Sequence, residues 1–117
     1  METIIYLTNR KISDQQLVQI VEQLGGFWDF DPTLNHGVIS ATSGTVYVNM
    51  PVGIEAVYGQ VHIKSLGSEI QMRPEFAICI DYGHQVDSSN LAIKVAKEFV
   101  QQWGGTVDGN NVLDIED

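Results

Sequence analysis

Gln23-Leu24-Gly25-Gly26-Phe27-Trp28-Asp29, near the start of the chain, returns near its end as Gln102-Trp103-Gly104-Gly105-Thr106-Val107-Asp108. Each copy closes an amphipathic run. Each glycine pair offers a residue that adopts the left-handed conformation in which helices commonly end. Ser13 precedes the first run with Gln16 three residues on, the spacing of a capping box. Leu17, Ile20, Val21 and Leu24 then fall on one stripe at helical spacing. In the second run Leu91, Val95, Ala96, Phe99, Val100 and Trp103 define the apolar side, with Asp87 or Ser88 placed to cap it. Laid over the first copy, Phe99 falls on Ile20, Val100 on Val21, Trp103 on Leu24 and Asp108 on Asp29. The match is too short to establish duplication. Its physical content stands without ancestry: two helices each carry one apolar face that a sheet must bury.

Strand signals surround these helices. Residues 3–7 form a β-rich run, and the alternation of Val46, Val48 and Met50 against Thr45, Tyr47 and Asn49 suits a sheet with two dissimilar faces. Residues 37–40 pair with that run around Thr42-Ser43-Gly44, and Pro51 is read as its stop. Residues 27–32 read as a short strand ended by Pro32, and residues 75–81 as a further strand. Residues 52–74 support either a helix, through Ile54, Val57, Tyr58 and Val61, or a strand through Val57, Val61 and Ile63. The helical reading is taken, ending near Leu66-Gly67. A last strand is read over residues 112–115. The sum is one α/β domain over residues 1–117. It is a two-layer sandwich of the split βαβ (ferredoxin-like) or a related kind, with two principal helices and a mixed or antiparallel sheet.

The 117 residues carry fifteen carboxylates against six Lys and Arg, a net charge of −9. That field repels nucleic acid and anionic membrane, and favours a basic protein surface, a cation or plain solubility. No signal-like or membrane-spanning segment is read, so the chain is expected in the cytoplasm. Cys79 is alone within Phe76-Ala77-Ile78-Cys79-Ile80 and reads as a buried small hydrophobe.

Catalytic signatures are not found. The three histidines lack metal-ligand spacing, and both glycine pairs follow helices, whereas phosphate-binding loops open them. No cofactor is implied. Asp81, His84 and Asp87 lie where a strand gives way to a helix, a frequent binding place in α/β proteins, although capping and turn formation explain the same residues. The interaction signal is stronger. Trp28, Asp29, Phe30 and Asp31 join large rigid contact area to two negative charges, with Glu55 and Tyr58 as additions if the middle segment is exposed. Trp28 equally suits the core beneath the first helix.

In size, charge and layout, with its 13–26 helix, aromatic-acidic 27–32 stretch and 87–105 helix, the chain resembles the small acidic immunity proteins of bacterial polymorphic and contact-dependent toxin systems. The resemblance implies binding and neutralisation of a cognate toxin domain, often a nuclease with a basic cleft. It carries no residue-by-residue correspondence. Two other functions stay open: a small-ligand-binding protein or enzyme using Asp81, His84 and Asp87, and a homo-oligomeric structural or regulatory subunit whose sheet is covered by its own copy.

Overall fold

The computed structural model describes residues 2–33, 35–41, 44–58, 74–84 and 86–108. Strand β1 (Glu2–Thr8) leads to helix α1 (Asp14–Gln23). Then come β2 (Phe27–Asp29), β3 (His36–Ala41), β4 (Gly44–Val48) and β5 (Val52–Gly53). A single 3₁₀ turn (Ile54–Ala56) follows β5, and β6 (Phe76–Tyr82), helix α2 (Val86–Trp103) and β7 (Thr106–Asp108) complete the described chain. No helix among the described residues is long and apolar enough to cross a membrane.

The strands form one open sheet in the order β2-β3-β4-β6-β1-β7, and β5 also pairs with β6. Every recorded ladder is antiparallel. Because β6 and β7 both flank β1, β6-α2-β7 is a split βαβ unit with β1 inserted. The subset β1-α1-β4-β6-α2-β7, in spatial order β4-β6-β1-β7, has the ferredoxin-like arrangement, and the hairpin β2-β3 extends it beyond β4. The α/β class, the two principal helices and the split βαβ arrangement agree with the sequence reading.

Alternation assigns each strand residue to a face. Ile4, Tyr6, Trp28, Ile39, Val46, Val48, Ile78, Ile80 and Val107 join Leu17, Ile20 and Val21 of α1 and Ala92, Val95, Ala96, Phe99 and Trp103 of α2 in one core. Tyr6 sits against Phe99 and Trp103 with ring centroids 5.6 and 6.3 Å apart, the first pair edge-to-face. Such ring pairs add about 1 kcal/mol each beyond area burial. The other face carries a smaller cluster of Leu7, Ile54 and Ala77, with Ile5, Val57 and Tyr58 packed on it. Val57 and Tyr58 follow the 3₁₀ turn and lie over the β1–β6 half of this face, which is helix-free among the described residues.

The two helix ends obey one rule by different geometry. In α1 the Gly25 N–H reaches Glu22 O and the Gly26 N–H reaches Val21 O, both bonds of a Schellman motif, with Gly25 at φ +86°. In α2 only the simpler bond forms, from Gly104 N–H to Val100 O, and both glycines have positive φ. The capping box at the other end of α1 is complete: Gln16 N–H donates to Ser13 Oγ and Ser13 N–H to Gln16 Oε1.

Several local expectations are corrected. Pro51 does not stop pairing. Val48 lies opposite Ile80, and pairing with β6 resumes at Val52 opposite Ala77, one residue out of step, so residues 49–51 form a bulge. The described part of the middle segment, residues 52–58, is a two-residue strand and a 3₁₀ turn where a longer helix was read. Glycine and β-branched residues there favour pairing to β6 over helix propagation. The rest of that helical reading, and the strand read over 112–115, lie outside the described residues. The strand described after α2 is β7, which the sequence reading does not mark, and it forms because α2 hands the chain straight to the free edge of β1. Helix α2 begins at Val86, ahead of Asp87 and Ser88, and Ser88 Oγ accepts from the Thr45 N–H at 3.0 Å, tying the helix start to β4. Cys79 is half-buried on the helix-free face, not within the main core.

Candidate functional site

The sheet has two short edges, and the repeated heptapeptide supplies both. β2 and β7 are each three residues long, and each follows a glycine-terminated helix. Trp28 and Val107 are the inward residues of the two strands, while Asp29 and Asp108 face the helix-free side.

At the β2 edge, Gly26 is the fixed point. A Cβ there would lie 2.3 Å from Val38 O and 2.7 Å from Ile39 Cγ1, so only glycine lets the chain pass this close to β3. Trp28 comes next on the core side and is 7% exposed; its indole Nε1–H donates to Asn35 Oδ1 at 3.0 Å. Alternation then turns Phe27 outward, 58% exposed, and Phe30 just beyond the strand is 70% exposed. Both are large apolar side chains left in water.

The acids between them organise the loop. Asp29 Oδ1 accepts from the Asp31 N–H at 3.0 Å. Asp31 Oδ1 accepts from the Thr33 N–H at 2.8 Å and from Thr33 Oγ1 at 2.6 Å. The Thr33 hydroxyl, then its amide, hold the Asp31 carboxyl below its ordinary value, so it stays ionised. The Asn35 N–H closes the loop on Asp31 O at 2.7 Å, with Asn35 at φ +27°, a conformation asparagine tolerates better than most. Across the ladder Asp29 faces His36, whose ring lies 5.1 Å from that of Tyr47.

Of the six residues singled out for protein contact, Asp29, Phe30 and Asp31 gather at this edge. Trp28 is part of the core. Phe27, not singled out, takes its place at the surface. The echo carried the signal: Trp28 aligns with Val107, an apolar residue between polar neighbours and hence the inward position of its strand. Glu55 is exposed on the 3₁₀ turn, and the Tyr58 hydroxyl donates to Asp108 Oδ2 at 2.5 Å. Burial, then the hydrogen bond and charge of Asp108, push the Tyr58 hydroxyl well above its ordinary value. Since β2 and β7 stand five strand intervals apart, about 24 Å at the usual spacing, Tyr58 and the Phe27–Asp31 edge belong to separate surfaces.

Of the three residues read where a strand gives way to a helix, Asp81 is on β6, His84 follows that strand and Asp87 is in α2. Asp81 lies on the helix-free face, where Thr3 Oγ1 donates to one carboxylate oxygen at 2.6 Å and Asn49 Nδ2 to the other at 2.9 Å. His84 and Asp87 are exposed, Asp87 in the first turn of α2 on the opposite side of the sheet. Asp81 acts as a bridge across β1, β6 and β4. Burial, then the Asp81 charge, raise the nearby Cys79 thiol, which keeps it protonated at neutral pH. Among the described residues no group of three His, Cys, Asp or Glu side chains is arranged to hold a metal ion. A cleft of about 140 Å³ between the helix ends is lined by Gln16, Gln19, Ile20, Gln23, Gln102 and Trp103, which bring amides but no ionisable group.

Comparison with protein-family models, curated proteins and solved structures found no match. The functional reading therefore rests on the geometry of the chain itself.

Proposed function

We propose that this protein is a binding module that docks a basic protein partner at the β2 edge, as an immunity protein does in neutralising a cognate toxin domain. The observation that carries this reading is the pair Phe27, on β2, and Phe30, just beyond it, exposed beside Asp29 and Asp31 at the end of the sheet among the described strands. Interface centres favour aromatic anchors, while the surrounding charges steer encounter and choose the partner. A net charge of −9 extends that steering field over the whole molecule. The loop that presents the anchors is held by Asp29, Asp31, Thr33 and Asn35, so little ordering remains for binding to impose.

The test compares the full chain with Phe27→Ser/Phe30→Ser and Asp29→Asn/Asp31→Asn variants as baits in extract of the source cell. The expected capture is a basic domain that the wild-type chain retains and the aromatic variant releases. Expressed alone, that domain should arrest growth, and co-expression of the wild-type chain should restore it. Equal capture by all three baits, or a captured domain without effect on growth, removes the proposal.

A further inference from the structure

We infer that the partner engages this edge by strand addition: a basic, extended segment lies along β2 and continues the sheet. This rests on the docking reading above and adds the mode of recognition. Among the described strands β2 terminates the sheet, so one row of its backbone N–H and C=O groups faces outward from β3. Trp28 anchors the strand in the core through packing and its bond to Asn35, which keeps the short ladder in place as a template. Phe27 and Asp29 stand on the same face, where cross-strand neighbours of an added strand would meet them: an apolar residue against Phe27 and Lys or Arg against Asp29.

Of the usual protections of an edge, β2 has shortness and one charge but not the others. Residues 27–29 contain neither lysine nor proline, and Pro32 comes only after the loop has begun to turn. What the edge has is negative charge. That charge attracts a basic segment and, at a net −9 per chain, disfavours a second copy of the chain as the added strand. The ladder on offer is short, because the Asp31 N–H is already held by Asp29 Oδ1. Backbone pairing alone would bind weakly, and Phe27 and Phe30 supply the apolar contact that the few hydrogen bonds lack.

The probe is a random linear peptide library displayed on phage. It is selected on the immobilised full chain after depletion on the Phe27→Ser/Phe30→Ser variant, whose fold is checked by circular dichroism. Enriched peptides should alternate basic and apolar residues with period two. Synthetic copies should lose binding about tenfold when one peptide amide that faces β2 is N-methylated, the loss of a single interstrand hydrogen bond with its steric block, while methylation of an amide facing away is tolerated. Peptides that need Phe27 and Phe30 but tolerate N-methylation at every position overturn strand addition while leaving docking at this edge intact. Peptides that bind the variant equally well overturn both readings. A selection that enriches nothing overturns strand addition.

Discussion

The two edges of the sheet begin from the same heptapeptide pattern and end differently. At β7, the Gly104 carbonyl accepts from the Tyr6 hydroxyl at 2.6 Å and Asp108 accepts from Tyr58, so a buried and a half-buried tyrosine fasten the edge from both faces. At β2 the equivalent acid, Asp29, bonds only to its own loop among the described residues, and the apolar residue beside it, Phe27, is left in water where β7 has Thr106. One edge is closed by the fold and the other is presented by it. Local sequence likeness therefore sets how a helix stops, while position in the sheet sets what the following strand is used for.

That contrast can be broken most severely at Gly105. Its φ is +84° and a Cβ would lie 2.3 Å from Leu7 O, so Gly105→Ala combines left-handed strain with a backbone collision. The expected loss is roughly 3 kcal/mol, read as a lowered urea midpoint with unchanged slope. Gly26→Ala meets an equally close carbonyl, that of Val38, without a positive φ, and should cost somewhat less, about 2 kcal/mol. Gly25→Ala separates strain from collision, because φ is +86° and nothing lies within 4 Å of the added carbon. About 1 kcal/mol is expected, and Gly104→Ala should match it, since that site is equally open. If Gly25→Ala proves as damaging as Gly105→Ala, close approach has been overrated as the difference between the sites.

Alkaline pH sharpens the comparison, because the two raised tyrosines both bond at β7, while the raised Cys79 thiol of β6 is common to every variant compared. Burial raises the Tyr6 hydroxyl above its ordinary value of 10.0, and burial together with Asp108 raises that of Tyr58. A group whose folded pKa exceeds its unfolded one contributes its full stability below the unfolded value. It loses that contribution as pH climbs through the folded one. The urea midpoint should therefore fall above pH 10, and Tyr58→Phe should flatten that fall while leaving the behaviour at neutral pH less changed. An unaltered alkaline slope in Tyr58→Phe would show that the Asp108 bond contributes nothing to the linkage.

The smallest effect on stability is expected where the effect on binding is largest. Phe27→Ser/Phe30→Ser removes surface side chains and should shift the midpoint by no more than about 0.5 kcal/mol. A substantial loss would mean that these rings are structural, and the presented edge would have to be reinterpreted as a packed one.

Period and punctuation made most of the architecture legible. Apolar residues at helical spacing, the Ser13–Gln16 box and the glycine pairs located both helices, because these signals act over a single turn and need no distant partner. The bulge after Val48 and the strand β7 were not legible. Each depends on which strand edge lies within reach, and that is a property of the assembled sheet. The site divides in the same manner. The aromatic-acidic character of residues 27–31 is plain in the chain, yet whether Trp28 or Phe27 faces water turns on a one-residue register.

The chain by itself determined two amphipathic helices, their stops, a strongly negative field and the absence of any familiar catalytic spacing. Tertiary structure alone decided that the two echoed segments become opposite edges of the described sheet, that Asp81 accepts from Thr3 and Asn49 across neighbouring strands, and that Phe27 is exposed while Trp28 is not. The reason is physical: helix periodicity and capping are settled by neighbours within a few residues. The use of a strand residue is settled by pairing with segments far away in sequence.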